Sequence, residues 1–516
     1  MALVKSILLN SNDNVSILTK KGKLGDTAYV EQNIKLKMKL RDEIQQWHKI
    51  AVRDIEKNKE IIKYGQIIGY SSKKIIAGEH VHNHNIYYSE KILFSNNLFD
   101  KNSKSKIFPN DLPDTFNGYL RKDKRAGIRN YFIVVSSSNC SATVVKKICN
   151  NFSNKDFSNK NIDEIIPVCY SGGCALAKDG DTYKTYKKTI LGWLNNPNVV
   201  GALIIGLGCE VITEKGLFDS YNDLVKIKEN RIPIEYFTIQ ESGGANSSIK
   251  SGIKKIENFI NNFKKPERTI IPVSKLIIGL NCGGSDALSG ITANPALGFA
   301  GDYFVDKNGT IVLGEYPECN GTENHLLQRC VNTKDKKKLK EIFSWWQGYV
   351  KKNKVNLDNN LSLGNKEGGI STILEKSLGA IIKGGTSNIK QVLKYSEHIT
   401  KHGLIFMDTP GYDPVSVTGL VAGGCQIIAF TTGRGSLYGC SIAPTIKISS
   451  NTSIFDKMKN DIDINAGKIL EGIIMNEVGK EIYKYIIKIA NGEKTKSEKN
   501  GIGWEEFVPW NTGETL

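Results

Sequence analysis

Residues 199–210 read VVGALIIGLGCE and give the clearest indication of the fold class. The first seven residues of this stretch form an apolar run, which is typical of a strand covered on both faces of a parallel sheet. Similar runs occur at 131–135 and 165–168, and the stretches between them are long enough for crossover helices. We therefore predict an α/β domain with a parallel sheet over residues 116–265.

A second set of apolar runs follows this domain, after a break at Lys264-Lys265-Pro266. The runs lie at 276–280, 310–313, 403–407 and 426–430. Segments with helical patterning separate them, so we predict a second, C-terminal α/β domain with a parallel sheet over residues 266–516.

The N-terminal part has a different texture. Residues 1–90 contain short strand-like runs separated by Gly, Asn and Asp, which predicts a small all-β module. Residues 91–115 are rich in turn-forming and charged residues without periodicity, so we predict a linker. The fold class is thus multidomain: an all-β module followed by two α/β domains.

The charge balance limits the class of partner. Lys and Arg number 70 against 53 Asp and Glu, which gives a net charge of +17. No stripe of Arg with interleaved aromatic residues concentrates that charge, so we expect no nucleic acid and favour a small anionic substrate. No apolar run reaches membrane-spanning length and the N-terminus lacks a secretory apolar core, so we expect a cytoplasmic protein without a membrane partner.

Four predicted strands each deliver a cysteine beyond their carboxyl end, and the candidates taken from these segments are Cys140, Cys174, Cys209 and Cys282. Because ligands bind at the carboxyl ends of parallel strands, this placement predicts a shared site. A dinucleotide site is not indicated, since Val211 stands where the third glycine of the motif would follow Gly206 and Gly208.

The triplet His80-x-His82-x-His84 is a second dense signal. On a strand, alternate residues share a face, so these imidazoles are expected to project the same way and to offer ligands to one metal. The alternative is a surface histidine cluster without a metal.

Two later segments suggest binding of an anion. Residues 364–369 (GNKEGG) predict either a backbone cradle for an anionic group or a simple turn before a helix. Arg434 follows the predicted strand at 426–430, where its guanidinium is expected to hold a carboxylate or to form a structural ion pair.

Longer motifs resemble the altronate/galactarate dehydratase family. They comprise residues 117–121 (NGYLR), 127–130 (GIRN), 206–210 (GLGCE), 282–295 (CGGSDALSGITANP), 364–369 (GNKEGG) and 432–439 (TGRGSLYG). The resemblance covers nearly the whole chain, and residues 1–90 resemble the SAF (β-clip) domain of that family.

The resemblance implies a hydro-lyase that removes water from a sugar acid to give a 2-keto-3-deoxy acid, with Fe²⁺ or Mn²⁺ as the divalent metal. Residues 78–85 (GEHVHNHN) are closer to the altronate branch than to the galactarate branch, which favours altronate. In such a reaction a metal stabilises the enediolate, a base removes the α-proton and an acid protonates the departing hydroxyl.

This chemistry suggests a role for each candidate residue. His80, His82 and His84 are expected to bind the metal or to transfer protons. Cys140, Cys174, Cys209 and Cys282 are further candidate metal ligands. The substrate is expected to contact Arg129, Asn130, Lys366 and Arg434. The candidate acids and bases are His48, Lys63 and Glu315.

Three alternatives stay open. Cysteine ligands suit an iron–sulfur cluster in place of a single metal ion. Asn10 and Tyr170 stand where the family usually has histidines, which is compatible with a non-catalytic sugar-acid-binding protein. A sulfo-lyase acting on a sulfonated hydroxy acid would use the same α-proton chemistry. The expected assembly of the protein is a homodimer.

Overall fold

The computed structural model describes residues 2–31, 33–88, 111–153, 155–174 and 176–512. It contains an N-terminal all-β module followed by two α/β units with parallel sheets, so the predicted fold class is confirmed. The predicted linker at 91–115 lies outside the described residues, except for 111–115.

The N-terminal module consists of two small sheets. Its strands are β1 (Leu3–Ile7), β2 (Val15–Leu18), β3 (Thr27–Val30), β4 (Asn33–Lys39), β5 (Lys49–Ala51), β6 (Glu60–Lys63), β7 (Gln66–Ser71), β8 (His80–Val81) and β9 (Ile86–Tyr87). The strand orders are β4-β3-β1-β2-β5-β8 and β6-β7-β9. Alternation along β6 buries Ile61 and Lys63, so a lysine points into the interior with the apolar residues.

The central unit has a four-stranded parallel sheet with the order β13-β12-β14-β15. The strands of this sheet are β12 (Tyr131–Ser136), β13 (Glu164–Val168), β14 (Val199–Gly206) and β15 (Ile234–Thr238). Two further strands, β10 (Thr115–Leu120) and β11 (Ala126–Gly127), pair with each other outside it. The helices of the unit are α1 (Asn139–Asn150), α2 (Asp181–Leu194), α3 (Glu214–Leu224) and α4 (Ala245–Asn262). All eight residues of β14 are buried, as expected for a strand covered on both faces.

The C-terminal unit has a seven-stranded sheet with the order β19-β20-β18-β17-β21-β22-β23. The strands of this sheet are β17 (Ile277–Cys282), β18 (Thr310–Leu313), β19 (Ile389–Leu393), β20 (Gly403–Met407), β21 (Ile427–Thr432), β22 (Thr445–Ser449) and β23 (Ile464–Asn465). The strand before them, β16 (Thr269–Pro272), lies outside this sheet and pairs with β10.

Helices surround this sheet. They are α5 (Ala293–Asp306), α6 (Glu323–Arg329), α7 (Thr333–Asn353), α8 (Leu363–Glu367), α9 (Ile373–Ile381), α10 (Asp413–Ala422), α11 (Thr452–Lys457), α12 (Met475–Ala490) and α13 (Lys496–Lys499).

The two α/β units share one continuous core. Apolar side chains of both sheets belong to a single buried cluster, and α2 packs on α10. At that contact the Trp193 Nε1–H donates to the Thr418 carbonyl over 3.1 Å. The central sheet is therefore fixed against the C-terminal sheet.

The module also packs on the C-terminal unit, through α9. Leu374 and Leu378 of that helix join the buried cluster of the module, and the Thr372 hydroxyl donates to the Ile68 carbonyl over 2.6 Å. The histidines of the module are thereby placed beside the segment that precedes α9.

Candidate active site

Four imidazoles meet where the module contacts the C-terminal unit. The ring centroid of His48 lies 5.1 Å from that of His80 and 4.8 Å from that of His82. The ring centroids of His80 and His84 lie 5.2 Å apart. His48, a candidate acid or base, therefore joins the three predicted ligands. The predicted strand over 80–84 is wrong in detail: β8 ends at Val81, and a turn carries the other two histidines.

The ring nitrogens of two of these histidines are fully used. The His48 Nε2 lies 3.0 Å from the Glu367 carbonyl oxygen, and the His82 Nε2 lies 3.0 Å from that of Lys366. Since a carbonyl only accepts, both Nε2 atoms carry a proton. The remaining Nδ1 atoms then accept, from His80 Nε2–H at 2.9 Å and from the Ser371 hydroxyl at 3.1 Å.

Burial keeps these imidazoles neutral. Burial, together with positive charge on neighbouring histidines and Lys49, lowers the pKa of His80 to about 2 and that of His82 to about 3. Burial also lowers the pKa of His48. At neutral pH the cluster is uncharged, and one hydrogen bond joins two of its rings, those of His48 and His80.

The arrangement of the imidazoles does not fit a metal ion held by His80, His82 and His84. Both nitrogens of His82 already bond to Lys366 and Ser371, so its lone pair is not free. Across the described residues, no three His, Cys, Asp or Glu side chains are arranged to hold a metal ion. The described arrangement instead suits hydrogen bonding and proton transfer.

Two cations border the cluster. The Arg434 Nη2 lies 2.9 Å from the Glu367 Oε2, and the Arg434 side chain is 43% exposed. Lys366 lies on the same short helix α8 as Glu367. Residues 363–367 form α8 and residues 368–369 form a turn before α9, and the carbonyls of Lys366, Glu367 and Gly369 bond to the histidines and to Lys49.

A buried ionic group lies below the imidazoles. The Glu375 carboxylate is 2.8 Å from the Lys49 Nζ and 2.7 Å from the Lys63 Nζ, and all three side chains are almost fully buried. Burial opposes the charge of Glu375, but the two ammonium groups lower its pKa to about 2. Burial lowers the pKa of Lys49 to about 8, although Glu375 acts against this shift.

A second buried ionic group contains Glu315. The Lys383 Nζ lies 2.7 Å from the Glu315 Oε2 and 3.4 Å from the Glu318 Oε2. Burial, reinforced by Glu318, raises the pKa of Glu315 to about 8. The other oxygen, Oε1, has no hydrogen-bond partner among the described residues, and the backbone of Glu315 is left-handed at φ +64°. Such strain and an unpaired buried oxygen are typical of functional positions.

A small cavity of about 10 Å³ lies between the module and the C-terminal unit. It is lined by Tyr64 of the module and by Glu375 and Lys376 of α9, and the Lys376 Nζ lies 3.0 Å from the Glu318 Oε1. A cavity of this size holds at most one water molecule. Lys63 and Glu315 are almost fully buried, so a sugar acid can contact neither of them in the conformation described.

The structure places the other predicted site residues elsewhere. Arg129 and Asn130 precede β12, at the amino edge of the central sheet, and all five donors of Arg129 bond to Glu498 or to backbone carbonyls. These contacts give Arg129 a structural role in place of the predicted substrate contact. Cys282 is buried, with its Sγ 2.7 Å from the Ser285 Oγ and its N–H bonded to Glu315.

Cys140, Cys174 and Cys209 lie together at the carboxyl edge of the central sheet, exposed to solvent. Cys282 belongs to the other sheet, so the structure brings together three of the four cysteines for which a shared site is predicted.

Comparison with known proteins fits this architecture. Three family models match: the altronate/galactarate dehydratase SAF domain at 4–89, the D-galactarate dehydratase/altronate hydrolase second domain at 118–264, and the D-galactarate/altronate dehydratase C-terminal domain at 273–515. An altronate dehydratase of Bacillus subtilis is 33% identical over 99% of both chains. The chain belongs to the altronate/galactarate dehydratase family.

Other similar proteins bear on the activity. A galactarate dehydratase (L-threo-forming) of Escherichia coli is 33% identical over 96% of this chain and 95% of its own. The β subunit of a (2R)-sulfolactate sulfo-lyase from Chromohalobacter salexigens is 31% identical over 76% of this chain and 96% of its own. The predicted membership of this dehydratase family, whose named dehydratases are hydro-lyases, is confirmed.

Within the described residues, no helix combines the length and apolar character needed to cross a bilayer.

The buried partners of the site could not be identified from the sequence. Lys49, Glu375, Glu318 and Lys383 were not singled out, although each is almost fully buried. Charged residues are normally exposed, so nothing in a single sequence marks them as interior. A weak signal is the position of Lys49 next to His48 in a short strand-like run.

Proposed function

We propose that this chain is a sugar-acid hydro-lyase, with altronate favoured and galactarate possible, that gives a 2-keto-3-deoxy acid. The proposal depends on one observation: neutral imidazoles of the module lie beside two cations of the C-terminal unit, Arg434, which is exposed, and Lys366, which is half-buried. Relatives that match the full chain are named for dehydration of these two substrates.

The charges near the cluster favour an anionic substrate. Lys49, Lys63 and Glu375 together carry 2 − 1 = +1 when all are ionised, and this charge is buried, where water screens it little. Arg434 offers a planar fork that matches a carboxylate. We therefore assign Arg434 and Lys366 to binding of the substrate carboxylate.

Proton transfer is assigned to the imidazoles. A neutral ring can accept the α-proton, and a carboxylate bound nearby would raise the pKa of the imidazoles towards the range of a useful base. Lys63 and Glu315 stay candidates for the second proton transfer. Each is buried, so this role requires a conformation other than the one described.

Dependence on Fe²⁺ or Mn²⁺ stays a prediction. When bound, such a metal would polarise the substrate carboxylate and stabilise the enediolate. Because the imidazoles, as the structure places them, do not fit a metal ion, the proposed proton transfers do not depend on one. Dialysis against a chelator, followed by addition of either metal, tests the prediction through the rate of keto-acid formation.

Substrate identity is tested with a panel of altronate, galactarate and sulfolactate. The full chain is incubated with each acid, and 2-keto-3-deoxy acid and sulfite are measured. We expect keto acid from altronate first. Sulfite release would favour the sulfo-lyase, which the similarity to the (2R)-sulfolactate sulfo-lyase supports. Binding without turnover of any acid would favour the non-catalytic protein and overturn the proposal.

The role of Arg434 is tested by Arg434→Ala. Loss of a charge-assisted pair with the carboxylate of roughly 1.5–3 kcal/mol should raise KM at least about tenfold. Arg53→Ala, at an exposed position of the module, is the matched control and should leave KM unchanged. An unchanged KM in Arg434→Ala would contradict the assignment.

A further inference from the structure

Three loops of the central unit bring cysteines to one edge of its sheet. The loops follow β13, β12 and β14, which are neighbours in the order β13-β12-β14. Cys174 and Cys209 lie in the loops after β13 and β14, and Cys140 is the second residue of α1, directly after the loop of β12. These three cysteines are exposed, whereas every other cysteine of the chain is buried or half-buried. Their placement therefore differs from that of cysteines used as small core residues.

Hydrogen bonds lock the three loops together. The Asn139 N–H donates to the Gly172 carbonyl over 2.9 Å, which joins the loops of Cys140 and Cys174. The Ser137 hydroxyl donates to the Glu210 Oε1 over 2.6 Å, and the other oxygen of Glu210 accepts from the Gly208 N–H at 2.7 Å. The loop after β12 thus fastens both of its neighbours.

Close packing supports the same construction. Gly173 has a left-handed φ of +102°, and a Cβ atom there would lie 2.8 Å from the Ser137 carbonyl oxygen. Only glycine allows the backbone to approach that closely. This close contact therefore holds the loop that carries Cys174 against the end of β12.

The thiols also interact with one another. Charge on Cys140, and to a smaller extent on Cys209, raises the pKa of Cys174. Three thiolates this close repel each other unless a cation separates them. Next to them the Ser138 hydroxyl is fully buried and has no hydrogen-bond partner among the described residues.

The chemistry of the ligands selects the kind of cation. Thiolates are soft ligands that suit iron–sulfur clusters and zinc. A single ion requires its ligands to converge on one point, and no group in the described residues does so. In a cubane cluster each iron receives three inorganic sulfides and needs only one thiolate, so the cysteines can lie side by side.

We propose that Cys140, Cys174 and Cys209 bind a 4Fe–4S cluster whose fourth iron has no cysteine ligand. Each thiol loses its proton on binding, and the fourth iron takes an oxygen ligand, such as water. Cys282 is not part of this site. The proposal is independent of the dehydratase assignment, because it concerns other residues and is measured without substrate.

The test is anaerobic incubation of the full chain with ferrous and ferric iron in equal amounts and with sulfide, which together supply the two ferrous and two ferric ions of a 4Fe–4S cluster, followed by desalting. Iron, acid-labile sulfide and visible absorbance are then measured. We expect about four iron and four sulfide per chain, as in a cubane cluster. Cys174→Ala and Cys209→Ala should each lose most of both, at unchanged circular dichroism.

Cys330→Ala is the matched control, since Cys330 is half-buried and lies outside the three loops. It should retain the cluster of the unmodified chain. Iron or zinc bound without acid-labile sulfide would overturn the proposal, as would sulfide retained in both loop variants. Keto-acid formation by the Cys174→Ala variant is a separate readout that concerns only the proposed function.

Discussion

Glu375 balances two buried ammonium groups, those of Lys49 and Lys63. Removing one partner of a buried ionic group leaves charge without compensation, which typically costs about 3–5 kcal/mol. Glu375→Gln should therefore lower the free energy of unfolding by that amount, measured by urea denaturation. The exposed Glu341→Gln on α7 is the control. Equal stability of the two variants would mean that the lysines lose their charge without loss of structure.

At the scale of elements, the segment between α8 and α9 joins the module to the C-terminal unit. Gly369 lies there with φ +93°, and a Cβ atom would stand 2.5 Å from the Trp47 carbonyl oxygen of the module. Gly369→Ala should cost about 1–3 kcal/mol in strain and loosen the module. Limited proteolysis should then cleave the chain faster after the module.

A control for this effect is Gly348→Ala in α7. A Cβ atom at Gly348 meets nothing within 4 Å, so alanine there should leave stability unchanged or raise it slightly. If both glycine variants resist proteolysis like the unmodified chain, the contact at Gly369 does not hold the module in place.

For the whole molecule, the buried histidines predict how stability depends on pH. Their pKa is lowered by folding, to about 2 for His80 and about 3 for His82, so below pH 6.5 the unfolded chain binds more protons than the folded chain. Stability is complete above pH 6.5 and falls as the pH drops towards 3. Each histidine contributes up to about 1.4 kcal/mol per pH unit.

Urea denaturation at pH 7 and pH 5 measures this loss. His82→Gln should reduce the difference in unfolding free energy between the two pH values, because one titrating group is gone. His402→Gln, at an exposed position, is the control and should keep the difference of the unmodified chain. The same slope in all three proteins would contradict the role of His82.

The sequence by itself determined the fold class and the family. Apolar runs such as 199–205 follow from burial on both faces, a local property of a strand, and they predicted both parallel sheets. The histidine triplet and Arg434 were likewise found from their spacing and from the strand end before them. Their assignment to the site needed no knowledge of contacts distant in sequence.

Only the tertiary structure decided which of these residues meet. Lys63 and Glu375 are 312 positions apart, and their ion pair exists because the module packs on α9. The same packing uses the nitrogens of His82 in hydrogen bonds, while Cys282 lies in a different sheet from Cys140, Cys174 and Cys209. Burial and domain contact set these outcomes, and neither is encoded in the spacing of residues along the chain.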